Sequence, residues 1–129
     1  MIFGIGVDIL RVDRVDAVFQ RFGEHFVQRL LMPEEQLLFR KAKRPLRFLA
    51  MRFAAKEAVV KGMGTGFANG MWIRDTGVIP DRFGRPEVVF SPRGQRKCAE
   101  LGVGEGHLTL TDEAGLVVAV AVMMRAQAE

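Results

Sequence analysis

One cysteine in 129 residues, Cys98, excludes an intrachain disulfide and fits a reducing, cytoplasmic compartment. It falls between Lys97 and Ala99 in a predicted helix and reads as a packed thiol, not a nucleophile. No apolar run exceeds the nine residues of Leu116 to Met124, too few to cross a bilayer, so no membrane role is expected. Met1–Val7 has no basic segment and no adequate apolar stretch before Asp8, so no signal peptide is predicted. Repeats, low-complexity tracts and linkers are also missing, which predicts one domain over residues 1–129. No RRM, KH or zinc-ligand pattern is present, which argues against a nucleic-acid-binding module.

What the chain does have is apolar volume and positive charge. Ten Phe and seven Met, with many Val and Leu, supply a core. The formal net charge is +4 and the sequence pI about 9.8. A basic balance favours an acidic partner, for which nucleic acid, an anionic cofactor and an acidic protein all qualify. The aromatics Phe19, Phe22 and Phe26 follow helical spacing and read as core rather than as base-stacking platforms.

The pattern predicts a strand near 2–9 and a helix near 13–30 with Asp13 as N-cap. A short helix opens at Pro33, with Glu34 and Glu35 favourable to its dipole and Met32 offering no capping oxygen, so a frayed start is expected. A long helix follows near 46–62. Strands are predicted at Met71–Ile79 and Glu87–Phe90, the second after a turn at Arg82–Pro86. Ser91 and Pro92 open a helix ending at Gly102, and His107–Thr111 and Leu116–Met124 form a hairpin. The class is α+β: a long central helix packed on a mainly antiparallel sheet.

Chemistry concentrates in two places. Arg47 to Gly66 reads RFLAMRFAAKEAVVKGMGTG, a helix apolar over much of its girth with three glycines close behind. Arg52, Lys56, Glu57 and Lys61 are thus expected to be partly buried, which is costly without a partner or a metal. Glu57 and Lys61 are four apart and share a face, so an ion pair between them is the simple expectation. The other place is GIGVDI, where alternation puts Gly4, Gly6 and Asp8 on one side of a strand. A carboxylate ending a glycine-lined face is expected to have open space beside it, suited to a ligand or metal. Gly62, Gly64, Thr65 and Gly66 read as a helix C-cap and, compatibly, as a small-residue loop whose amides approach a phosphate.

GIGVDI followed at a distance by FLAMRFAAKEAVVKGMGTG resembles the group I 4′-phosphopantetheinyl transferases, the holo-acyl-carrier-protein synthase family. The likeness continues through Arg29–Glu35, Gly84–Arg85–Pro86 and the terminal hairpin, nearly the whole chain. It implies transfer of the phosphopantetheine arm of coenzyme A to a serine of apo-acyl carrier protein, in support of fatty acid biosynthesis. The serine oxygen attacks the β-phosphorus, and adenosine 3′,5′-bisphosphate leaves with the bridging oxygen. Asp8 and Glu57 match the family's Mg²⁺-binding acids, and hard carboxylate oxygens suit that ion. Lys61 is placed to stabilise charge on the breaking pyrophosphate. Two candidates share the general-base role, Glu57 and a water on the metal.

By the same resemblance Arg44, Arg47, Phe48 and Arg52 contact the phosphates and adenine of coenzyme A, with Lys61, Gly64, Thr65, Gly84 and Pro86 contributing. Arg44 and Arg47 read equally well as a solvated face, and Phe48 as core. Family members are homotrimers with active sites between subunits, and they dock acidic carrier proteins on the first helix. Here that implicates Arg14, Val18, Arg21 and His25. Two departures stand out. Many relatives have a histidine where this chain has Asp112, so a histidine-dependent role does not carry over. His107 is out of register with the motif and reads as a strand residue.

Overall fold

The structure is a computed structural model, and it describes residues 1–127. Strand β1 (Ile2–Arg11) leads into helices α1 (Val12–Phe22), α2 (Glu24–Leu30), α3 (Pro33–Arg40) and α4 (Pro45–Met63). The hairpin β2 (Thr76–Pro80) and β3 (Pro86–Phe90), helix α5 (Pro92–Leu101) and strands β4 (Val103–Glu113) and β5 (Leu116–Arg125) complete the order. β1, β5 and β4 form one antiparallel sheet in that order, and β2–β3 a second. This is the expected α+β architecture.

α4 is the centre of the fold. Pro45 sits in its first turn, where a missing N–H costs nothing, and Gly64 closes it in the left-handed region at φ 79°. It lies against β1 and β5, and half of its buried positions are small: Ala50, Ala54, Ala55, Ala58 and Gly62. Small residues bring the helix backbone onto the strand. A Cβ on Gly6 would stand 1.9 Å from the Ala58 carbonyl oxygen, and one on Gly4 2.1 Å from that of Gly62. The glycine-lined face of β1 is therefore occupied by the helix and is not the open space expected beside Asp8. Two glycines in alternation serve a close backbone approach here.

The opposite face of the same sheet is apolar and uncovered within the chain. Ile5, Val7 and Ile9 are 58%, 54% and 62% exposed. They pair across to Val122, Val120 and Val118 of β5, which pair in turn to His107, Thr109 and Thr111 of β4. Alternation had marked the two faces of β1; packing decides which is buried.

Several local expectations are corrected. The helix predicted over 13–30 breaks at Gly23 (φ 54°), and Arg11, not Asp13, is its N-cap. Asp13 lies inside the first turn, paired with Arg11 at 2.8 Å. The start of α3 is not frayed: Glu35 reaches back and accepts from the Met32 amide at 3.0 Å, half of a capping box. The strand predicted at Met71–Ile79 begins only at Thr76, because Ile73–Asp75 forms a 3₁₀ turn whose Asp75 side chain accepts from the Trp72 amide. Phe22 is half-exposed rather than core, while Phe19 and Phe26 are partly buried against it. Ser91 caps α5 as expected, accepting from the Gly94 amide at 3.0 Å. Cys98 is buried, which pushes its thiol up to about 11 and leaves it unreactive. Among the described residues no helix is long and apolar enough to cross a membrane.

Candidate active site

The crossing of β1 and α4 brings Asp8, Glu57 and Lys61 together. Lys61 does not bridge to Glu57, four residues back on its own helix. Its ammonium instead donates to Asp8 Oδ1 at 3.1 Å and to the Val7 carbonyl at 3.2 Å. Glu57 is left half-buried near Asp8 without a formed ion pair among the described residues. Burial raises its carboxyl above the usual range, the Asp8 charge adds to this, and Lys61 opposes it. Two neighbouring carboxylates beside one half-exposed ammonium are a donor set that suits a hard divalent cation. Asp8 and Glu57 fit such an ion.

The glycines after α4 act first as a cap. The Gly64 amide donates to the Lys61 carbonyl, and those of Thr65 and Gly66 both donate to Val60. These three amides are thus engaged within the cap. Thr65 itself is buried, its hydroxyl 3.5 Å from the Val60 carbonyl.

Toward the other end of α4 the remaining cofactor candidates line two clefts. The larger, about 890 Å³, runs between the free edge of β4, the β2–β3 hairpin and α4, and includes Arg52, Gly84 and Pro86. The smaller, about 240 Å³, is lined by Lys43, Arg44, Arg47, Phe48, Met51 and Arg52. Arg52 is common to both. Its guanidinium lies over the Phe48 ring at 4.2 Å, a cation–π contact, so Phe48 supports an arginine as well as closing the cleft. Arg47 is held by Asp112 through two bonds, Nε to Oδ2 at 2.9 Å and Nη2 to Oδ1 at 2.8 Å. That guanidinium holds the Asp112 carboxyl below its usual range. Asp112 therefore orients a candidate cofactor arginine. No local pattern announces this pairing, since Arg47 and Asp112 are far apart in the chain.

The docking candidates divide at Gly23. Arg14, Val18 and Arg21 lie on α1 and His25 on α2, so the candidates expected on one helix are shared between two. Val18 and His25 nevertheless meet in a groove of about 360 Å³ with Phe22, Phe26, Arg29 and Ile73. Arg21 lies over the Phe22 ring. His107 lines the large cleft beside Glu105, 3.5 Å away; it is a strand residue, as read, but one that faces a candidate site.

An α+β scaffold that gathers two carboxylates and a lysine at one end of a helix, and arginine-lined clefts at the other, is that of an enzyme handling an anionic substrate. Residues 4–121 match the 4′-phosphopantetheinyl transferase superfamily, and the chain belongs to it. It is 44% identical over 124 residues to the holo-[acyl-carrier-protein] synthase of Halorhodospira halophila, covering 96% of this chain and 98% of that one. The crystal structure of the Neisseria meningitidis holo-[acyl-carrier-protein] synthase superposes with a TM-score of 0.93 at 38% identity, over 97% of this chain and 100% of the other. That of the Helicobacter pylori enzyme, in complex with coenzyme A, gives 0.81 at 27% identity, over 92% and 98%.

Proposed function

We propose that this chain is a holo-acyl-carrier-protein synthase, moving 4′-phosphopantetheine from coenzyme A to a serine of apo-acyl carrier protein with release of adenosine 3′,5′-bisphosphate. The observation that carries this reading is the meeting of Asp8, Glu57 and Lys61 where β1 crosses α4, in a family member. Asp8 and Glu57 would hold Mg²⁺, which supplies charge neutralisation at the pyrophosphate. Lys61, on the same side, gives a second positive charge for the oxygen from which the β-phosphorus departs. Glu57, or a water held by the metal, would take up the serine proton.

The clefts would receive the rest of coenzyme A. Arg52 and Arg44 offer forked donors to phosphates, Arg47 is aimed by Asp112, and Gly84 and Pro86 wall the large cleft. Arg47 and Lys61 are fourteen residues apart on one helix, about 21 Å by helical rise. Two long side chains can close part of that backbone separation, and the remaining span accords with a site shared between chains. The uncovered face of Ile5, Val7 and Ile9 supports assembly as well, and a homotrimer with sites between subunits is the reading we adopt. The groove by α1 and α2, apolar inside, with His25 and Arg29 in its lining and Arg21 over its Phe22 ring, fits an acidic carrier protein. A reduced, buried Cys98 accords with a cytoplasmic setting.

The test is release of adenosine 3′,5′-bisphosphate from coenzyme A. It should require both apo-carrier protein and Mg²⁺; release that needs neither would contradict the reading.

A further inference from the structure

Glu35 lies away from the reacting groups, yet its carboxylate is wholly buried and engaged on four sides. Oε1 accepts from the Met32 amide at 3.0 Å and lies 2.7 Å from Lys56 Nζ. Oε2 accepts from the Val78 amide at 2.9 Å and lies 3.3 Å from Arg52 Nε. Lys56 is buried too and turns its ammonium inward, to the carbonyls of Leu30 at 2.6 Å and Ile73 at 3.4 Å. One anion thus faces two cations, and the cluster carries one positive charge in excess.

A purely structural site would be complete with Glu35 and Lys56, which already balance each other. Adding Arg52 brings a second cation into a place where burial disfavours its charge. Its Nε is buried without a hydrogen-bond partner, and its face rests on Phe48. No hydrogen bond from its terminal nitrogens forms among the described residues. The guanidinium is held by its inner edge and its flat face, at the wall common to both clefts. That is the presentation a bidentate phosphate contact requires.

We propose that Glu35 is a positioning residue for coenzyme A binding: it fixes Arg52 at the shared wall, while Lys56 neutralises Glu35 and leaves the Arg52 guanidinium unneutralised for a phosphate. This rests on the reading of Arg52 as a cofactor contact.

The experiment is calorimetric titration of the whole protein with coenzyme A, alongside steady-state kinetics. Removing one partner of a buried pair is severe, whereas replacing both is better tolerated. The first variant is therefore Glu35→Gln with Lys56→Met, checked for folding by circular dichroism. The second, Glu35→Asp, keeps an anion for Lys56 but withdraws it from Arg52, and decides the matter should the double variant not fold. Each should raise the Kd for coenzyme A about tenfold, the scale of a lost charge-assisted bond. KM for coenzyme A should rise with kcat held, whereas a structural role alone lowers kcat through the folded fraction and leaves KM in place. Arg52→Met should weaken binding at least as much, and combining it with the double variant should add nothing further. Additive losses, or an unchanged Kd in the Glu35 variants while Arg52→Met weakens binding, would overturn the proposal. Unchanged binding in Arg52→Met would instead overturn the cofactor reading of Arg52, and the proposal with it.

Discussion

Lys61 donates to Asp8 on the neighbouring strand at 3.1 Å and forms no bond with Glu57 on its own helix. The helix and strand pack so closely that a contact across them displaces the simple i,i+4 pair. The two acids consequently differ: Asp8 has a cation beside it, and Glu57 keeps a charge that burial and Asp8 both disfavour.

Asp8→Asn and Glu57→Gln should each fold and lose activity by at least 10²–10³-fold, the scale of losing one preorganised electrostatic contact. Turnover kinetics across a Mg²⁺ titration check this. Near-normal turnover of Glu57→Gln at low Mg²⁺ would contradict the metal assignment.

Without metal, the two variants should part in stability. The Glu57 carboxyl is raised, so the folded state holds its proton more tightly than the unfolded one. Its contribution to stability therefore falls as pH rises from the ordinary value of 4.5 through the raised folded value. In denaturant melts over that window, Glu57→Gln should lack this fall and be as stable as wild type or more so above it. Asp8→Asn should gain less, because Lys61 loses its partner.

Gly6→Ala places a methyl group where the Ala58 carbonyl oxygen stands 1.9 Å away. Helix and strand must separate, at a cost of at least about 1–3 kcal/mol. Thermal melts should show the loss, and activity should fall with it as Asp8 and Glu57 move apart. A wild-type melting temperature would show that the glycine is not needed for the crossing.

Much of this arrangement was legible in the sequence. GIGVDI and RFAAKEAVVKGMGTG identified the strand, the central helix and the three groups that meet on them. Local signals with a direct physical cause, such as Ser91 as a cap or Gly64 past a helix end, hold in the fold. Misreadings arose where tertiary packing chose between local alternatives. Glycine alternation in β1 meant a helix pressed onto it rather than space, and Gly23 interrupted a helical pattern that the apolar spacing had carried through. The Glu35 cluster and the Arg47–Asp112 pair join segments distant in the chain, and nothing in the local pattern announces them.

Reversing Arg14 and Arg21 to Glu should raise the KM for acyl carrier protein and leave coenzyme A binding nearly unchanged. Rim charges act mainly on association rate and salt dependence, so the wild type should also weaken as salt shortens the screening length to about 8 Å. A double reversal with unchanged carrier KM and salt slope would remove α1 from the docking surface.

Val7→Asp puts a charge in the middle of the uncovered sheet face. Light scattering should give about three chains for the wild type and a smaller species for the variant. Mixing Glu57→Gln chains with Arg52→Met chains should restore part of the activity if sites are shared. A variant that remains a trimer, or a fully active monomer at high dilution, would contradict this assembly.

The central claim is transfer of one group to one serine. Intact-mass spectrometry of apo-acyl carrier protein, incubated with this protein, coenzyme A and Mg²⁺, tests it most directly. The account predicts a gain of one phosphopantetheine, located on a serine, abolished by chelation and by Glu57→Gln. A carrier protein of unchanged mass under conditions where the protein is folded and coenzyme A is bound would contradict it.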